Sequence, residues 1–299
     1  MLLRKSSTVS LSKFSTVVGI WTVDTNGRLG NQMSAYAVLY GLAKFHQRPP
    51  YVHPEMYKYL APLFRISLPL LPKAKLNTLP WRRVGIIHQR MSEFYADIND
   101  TYVMFSCYPY SWTFYYQYYY DILDEFRFHD HIKRQAWKVL AELGAMRRNP
   151  TYVAVHVRRG DYVALMRNRF FGVLASPLFF AKTMGYFRVR YQEPVFVVVS
   201  DDINWCKQNI NNTLGDVYFP TADKLTSPGQ DLALAAHCNH TIMTIGTFGF
   251  WAAALAGGTT LYLANYTSPQ NDAYLKMHLP QWVGIQSDLP HGGPTPLVI

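Results

Sequence analysis

The chain has 299 residues, 49% hydrophobic and 16% charged, with a net charge of +10. This composition excludes a disordered chain, and the length calls for one large domain or two. The Lys and Arg residues are scattered in short pairs such as Arg82-Arg83 and Arg147-Arg148, without a basic arm, a Cys/His zinc spacing or an RNP-type motif, so no nucleic-acid partner is expected. The basic balance fits an enzyme for an anionic donor, or a luminal protein.

Cys107, Cys206 and Cys238 allow one bridge at most and leave a thiol over. No run approaches the ~20 apolar residues of a membrane helix. Residues 1–15 are polar, lack the apolar core of a signal peptide and are expected to be disordered. Four Asn-x-Thr sequons, at Asn99, Asn211, Asn239 and Asn265, are candidate N-glycan sites.

In chain order, Val17 to Val23 reads as a strand rich in β-branched residues. Turn residues Asp24 to Gly27 lead into Gly27-Arg28-Leu29-Gly30-Asn31-Gln32-Met33 and a helix to about His46. The free N–H groups of such a helix start can receive an anion, although the glycine spacing is not that of a dinucleotide fingerprint. The alternative is a tight turn with Asn31 as helix cap. Further on, a helical piece at Pro54–Arg65, a strand at Tyr102–Cys107, a tyrosine-crowded helix at Phe114–Phe126 and a helix at His129–Arg147 are expected. Arg147 to Pro150 breaks the pattern and marks a boundary between residues 16–149 and 150–299.

The second half alternates strand and helix. Strands are expected at Tyr152–Val155, Pro194–Ser200, Asp216–Phe219, Thr241–Ile245 and Thr259–Leu263. Helices are expected at Pro177–Tyr191, Ile203–Ile210, Asp231–Cys238 and Phe248–Ala256. This order predicts a parallel sheet covered on both faces, and two α/β halves with ligand motifs at strand ends suggest a cleft. Three strand ends carry chemistry: His156-Val157-Arg158-Arg159-Gly160-Asp161-Tyr162, Ser200-Asp201-Asp202 and Gly246-Thr247-Phe248-Gly249-Phe250-Trp251. Arginine suits bidentate phosphate contact, and ligands of open α/β sheets bind at carboxyl ends of strands. A surface ion pair between an arginine and Asp161, and a packed turn with Thr247 as cap, explain the same residues without a ligand.

Together, the Gly27–Met33, His156–Tyr162 and Gly246–Trp251 motifs resemble the α-1,2-fucosyltransferase family, glycosyltransferase family 11. The resemblance extends from about residue 18 to Gln281-Trp282-Val283-Gly284-Ile285 and takes in Leu60–Ile66 and Cys238–Ile242. It implies a GT-B-like α/β fold, with two Rossmann-like domains facing a cleft: 16–149 on the acceptor side and 150–299 binding the donor. It implies an inverting transferase that moves fucose from GDP-β-L-fucose to the 2-hydroxyl of a terminal galactose. No metal or other cofactor is expected, and Asp201-Asp202 lacks the spacing of a manganese motif. Arg158 and Asp161 are the expected catalytic residues. Arg28, Asn31, His156, Arg158, Ser200, Asp201, Thr247 and Phe248 are the expected donor-binding residues. A membrane-anchored Golgi location follows from the resemblance, not from any membrane helix in this chain. A protein O-fucosyltransferase-like enzyme, or a glycan-binding relative without activity, remains as an alternative.

Overall fold

The computed structural model describes residues 19–86, 91–106, 108, 111–220, 226–267 and 281–289. Residues 1–15, the start of the first expected strand at Val17, and Cys107 lie outside the described residues. The first half runs β1 (Ile20–Val23), α1 (Leu29–Phe45), α2 (Pro54–Leu60), α3 (Lys73–Thr78), β2 (Arg82–Gly85), α4 (Glu93–Ala96), β3 (Tyr102–Ser106), α5 (Tyr119–Glu125) and α6 (Asp130–Gly144). The second half runs β4 (Thr151–Val157), α7 (Tyr162–Leu165), α8 (Pro177–Arg190), β5 (Pro194–Ser200), α9 (Ile203–Asn209), β6 (Val217–Tyr218), α10 (Pro228–Ala236), β7 (His240–Met243), α11 (Thr247–Ala256), β8 (Thr260–Ala264) and β9 (Trp282–Gln286).

These strands form two parallel sheets. The smaller has the order β1-β3-β2, with Val23 level with Phe105. The larger has the order β6-β5-β4-β7-β8-β9, with Val155 paired to Val198 on one side and Ile242 on the other. β4 and β7 are neighbours in space although β5 and β6 separate them in sequence. The strand order therefore reverses between them, and such a reversal opens a crevice at the carboxyl edge. β4 and β5 are buried over most of their length, as their near-continuous apolar sequences require of strands covered on both faces.

α1 is buried on nearly every side from Leu29 to Ala43. It runs beside α11 in the same direction, because Asn31 meets Thr247 and, one turn on, Ser34 accepts a hydrogen bond from the Trp251 indole at 3.0 Å. Trp251 is also stacked on Tyr115 and lies edge-on to Phe126. The two halves thus share one packed seam. Glu125, buried behind it, accepts from Tyr36 at 2.5 Å and from the Ser67 amide at 2.7 Å.

Two expectations are corrected, and the open question of a Cys206–Cys238 bridge is decided. Phe114–Phe126 is not one helix: two single turns, at Trp112–Phe114 and Tyr116–Tyr118, precede α5. Tyr115 leaves the helical region, with φ −131°, where its ring turns inward onto Trp251. β2 and β9 were not expected as strands. Both are edge strands, so half their residues face solvent and their sequences lack an apolar run. Cys206 and Cys238 are both free and buried, so no bridge joins them, and burial pushes the Cys206 thiol up to about 11.

The seam depends on Gly30. A Cβ there would lie 2.6 Å from the Phe248 nitrogen and 2.8 Å from the Thr247 carbonyl carbon, both backbone atoms. Gly30→Ala should therefore cost about 1–3 kcal/mol of stability. Gly185, inside α8, has nothing within 4 Å of an added Cβ. Gly185→Ala should gain about 0.5–1 kcal/mol from helix propensity. Denaturant melts of the two variants test this, and equal stabilities would mean that the seam has slack.

Candidate active site

The site lies where the carboxyl ends of β4, β5 and β7 meet the loop after β1. β4 delivers His156 and Arg158 to the same side, two residues apart. The Arg158 amide donates to Thr244 Oγ1 at 2.9 Å, tying the end of β4 to the end of β7. The Arg158 guanidinium pairs with both Asp161 and Asp201 and lies 4.8 Å from the centre of the Tyr162 ring. Its side chain is only 14% exposed. Burial pushes its pKa down and Asp161 pushes it back up; an arginine so paired stays charged. The ion-pair reading of this loop is thus realised, but around a largely buried arginine. Two carboxylates engage part of a group with five donors, which leaves donors for a ligand.

Arg159 has a different task. It bonds Asp202 at 3.2 Å and lies 4.0 Å above the Trp205 ring, so it fastens the β4 loop to α9. Ser200 is also taken up internally, donating to the Val157 carbonyl and accepting from the Asp202 amide. Asp201 accepts from the Arg159 amide at 2.9 Å as well as from Arg158, so it braces the loop.

His156 is buried beneath α11. Its ring stacks on Phe248, and a side chain at Gly249 would run into it. Burial, with Arg158 second, pushes its pKa down to about 3, so the imidazole is neutral at physiological pH. Its Nδ1 has no hydrogen-bond partner among the described residues.

α11 begins at Gly246, whose φ of +93° favours glycine and turns the chain from β7 into the helix. Thr247 is the first helical residue and its hydroxyl donates to Asn31 Oδ1 at 2.7 Å. Across the seam, α1 begins after Arg28, and Gln32 pins the preceding loop through bonds to the Asn26 and Gly27 carbonyls. Neither Asn31 nor Thr247 is a helix cap; Arg28 and Gly246 hold those positions. The Arg28–Asn31 loop reaches across to the second half. Asn31 already bonds Thr247, and Arg28 stands 3.9 Å from Asp161. That ion pair is exposed and weak, but it marks the approach of the two halves.

Two helix starts therefore lie side by side beside a mostly buried arginine. Free N–H groups, aligned dipoles and a guanidinium in one place make a site for an anion such as a diphosphate. Among the described residues no three His, Cys, Asp or Glu side chains are placed to hold a metal ion. Of the expected site residues, Arg28, Asn31, His156, Arg158, Asp161, Asp201, Thr247 and Phe248 come together here. Ser200 serves the loop behind them. Thr244 and Gln32 were not singled out from the sequence. Each acts through a neighbour, Arg158 or the Gly27 loop, and a supporting hydrogen bond has no composition signal of its own.

A family model described as glycosyl transferase family 11 matches residues 4–286. The chain belongs to that family. It is 47% identical to galactoside alpha-(1,2)-fucosyltransferase 2 of Sus scrofa over 91% of the chain and 81% of the relative. It is 46% identical to galactoside alpha-(1,2)-fucosyltransferase 1 of Homo sapiens, over 92% and 77%. Among solved structures it resembles an Arabidopsis thaliana FUT1 mutant in complex with GDP, at 12% identity and TM-score 0.54, covering 88% of this chain and 75% of that one. POFUT1 in complex with GDP-fucose gives 13% identity and TM-score 0.53, covering 80% and 94%. These likenesses show the fold, which is α/β and GT-B-like.

His156 ties the site to acid stability. Its ordinary pKa of 6.5 falls to about 3 in the fold, so the folded protein binds fewer protons between those values. Its contribution is complete above pH 6.5 and is lost as the pH falls toward 3, with a slope of up to ~1.4 kcal/mol per pH unit. His156→Asn should remove that slope. Urea melts from pH 7 to pH 4 should show the variant losing stability less steeply than the wild type. Parallel curves would mean that the ring is solvated.

Proposed function

We propose that this protein transfers L-fucose from GDP-β-L-fucose to the 2-hydroxyl of a terminal galactose on a glycan, with inversion, to give an α-1,2 linkage. The observation that carries this is Arg158, mostly buried at the strand-order reversal and flanked by the starts of α1 and α11. The names of the 45–47% identical relatives supply the acceptor and linkage. The GDP and GDP-fucose bound to fold neighbours supply the donor class. The galactoside names of the close relatives favour this reading over protein O-fucosylation.

As the donor's C1–O bond breaks, the fucose becomes oxocarbenium-like and the departing diphosphate gains charge. Preorganised donors aimed at that charge do most of the work. Arg158 meets the diphosphate bidentately. Thr247, with the N–H groups around Phe248, holds its β-phosphate, and Asn31 orients Thr247. Asp161 and Asp201 hold Arg158 in place. Asp161 is the motif carboxylate nearest the chemistry, and it is paired with two arginines. A dissociative transition state lets the galactose proton leave late, so a strong base is not required. Residues 16–149 then carry the acceptor and 150–299 the donor. This reading places the enzyme in the Golgi lumen on a membrane anchor. It makes Asn99, Asn211, Asn239 and Asn265, all exposed, its N-glycan sites. Among the described residues no helix is long and apolar enough to cross a membrane.

GDP-fucose with a panel of galactose-terminated glycans, followed by linkage analysis, tests the reaction. Only α-1,2-linked product is expected, and another linkage or no transfer would overturn it. Arg158→Lys should lower kcat/KM by about 10²-fold or more, since an ammonium cannot make the planar paired contact. A folded variant with near-normal turnover would remove Arg158 from the chemistry. Turnover should be unchanged in EDTA, because arginine and helix starts carry the leaving-group charge. A loss restored by manganese would reverse that conclusion.

A further inference from the structure

The carboxyl edge of the small sheet carries two polar side chains, Asp24 and His53, that the reaction as described does not use. β1 ends at Val23, and Asp24 follows it. The chain then reaches Gly27, where Gln32 pins the loop, and Arg28 approaches Asp161 of the second half. Residues 50–52 run along the open side of β1. Trp21 is bridged in parallel to Pro50, and Thr22 Oγ1 donates to the Tyr51 carbonyl at 2.8 Å. That register puts His53 level with Asp24. Both therefore stand at the strand ends that face the crevice from the first half, across from Arg158.

The chemistry of this edge differs from that of the opposite wall. His53 caps α2: its Nδ1 accepts from the Glu55 amide at 3.2 Å. The proton of the neutral ring therefore sits on Nε2, and the ring offers a donor. Burial lowers its pKa, and Asp24 and Glu55 oppose this only in part, so the ring is neutral at physiological pH. Asp24 Oδ1 accepts from the Thr25 amide at 2.9 Å, while Oδ2 stands 3.4 Å from Arg83 in an exposed pair. Such a pair is weak, and a carboxylate can accept about four hydrogen bonds. An anionic acceptor and a neutral donor at one edge suit a neutral polyol such as a sugar. A diphosphate would be repelled by Asp24.

The order of atoms in a galactoside decides what the pair can hold. The 2-hydroxyl must face the donor beside Arg158. The aglycone on C1 must lead out to solvent. The 3- and 4-hydroxyls, away from C1, are then the ones directed at the wall.

We infer that Asp24 and His53 form the subsite for the acceptor galactose, the Asp24 carboxylate accepting from the 3- and 4-hydroxyls and the His53 Nε2–H donating to one of them. This rests on the proposed transfer to galactose and adds the residues that hold the sugar.

The test measures transfer to a β-galactoside and to its 3-deoxy, 4-deoxy and 6-deoxy analogues by wild type, Asp24→Asn and His53→Asn. Asparagine at 24 keeps an oxygen for the Thr25 amide, and asparagine at 53 keeps a cap on α2 while removing the ring N–H. Asp24→Asn should lower kcat/KM for the galactoside by about ten- to a hundredfold, chiefly through KM, as expected for a charged hydrogen bond. His53→Asn should lower it by about three- to tenfold, as for a neutral one. The Asp24→Asn loss should shrink severalfold with the 3-deoxy and 4-deoxy analogues and persist in full with the 6-deoxy analogue. GDP affinity by calorimetry and melting points should stay near those of the wild type. An unchanged kcat/KM in Asp24→Asn would overturn the assignment. So would a loss of the same size with every analogue, or an equal loss of GDP affinity. In each of these cases a wild type that transfers fucose to galactose leaves the transferase reading intact. A wild type that transfers none sinks that reading and this one together.

Discussion

The contact of α1 with α11 organises the molecule. The helices run parallel because Gly30 has no side chain and the start of α11 presses against that gap. A parallel pair brings both amino termini to the same place. Each brings unpaired N–H groups and the positive end of a dipole. Antiparallel packing would have cancelled the two dipoles and left the crevice without its fixed positive field. The orientation that makes an anion site is thus set by one packing contact in the core, before any charged side chain is considered.

The second requirement is a fixed arginine. A guanidinium on a loop would lose much of its binding energy to ordering. Arg158 is ordered beforehand by its backbone bond to Thr244, its two carboxylates and the face of Tyr162. The next residue shows how the loop is kept rigid. Arg159 turns the other way, onto Asp202 and Trp205, and anchors the chain from behind. Two adjacent arginines, alike in sequence, are divided by the loop that leaves β4 into one that faces the crevice and one that secures the loop.

That division explains what could be read from the sequence. The parallel sheet of the second half was legible because β4 and β5 are nearly continuous apolar runs, and their ends therefore showed where ligands belong. Edge strands were not legible: Arg82–Gly85 and Trp282–Gln286 carry too much exposed surface for a clear pattern. The break at Tyr115 was hidden for a different reason. Its cause is a stacking partner, Trp251, 136 positions away, and local periodicity carries no trace of such a partner. In the same way, Ser200 and Asp201 stood at a promising strand end, but whether a polar side chain faces a ligand or its own loop is decided by geometry. The motifs marked the right place; the division of labour inside it needed coordinates.

Charge balance at the site bears on how it would favour reaction over mere binding. Arg28 and Arg158 are offset by Asp161 and Asp201, so the nearby side chains sum to no net charge. A crevice with excess positive charge would hold a diphosphate tightly from the start, and tight ground-state binding does not raise turnover. In a balanced crevice the ground-state attraction comes from hydrogen bonds and helix starts and is moderate. Those same groups respond more strongly as charge grows on the departing phosphate, because they are already in place and partly shielded from water. In the proposed reaction the paired carboxylates would do more than position the arginine: they would shift its electrostatic advantage from the bound donor toward the transition state.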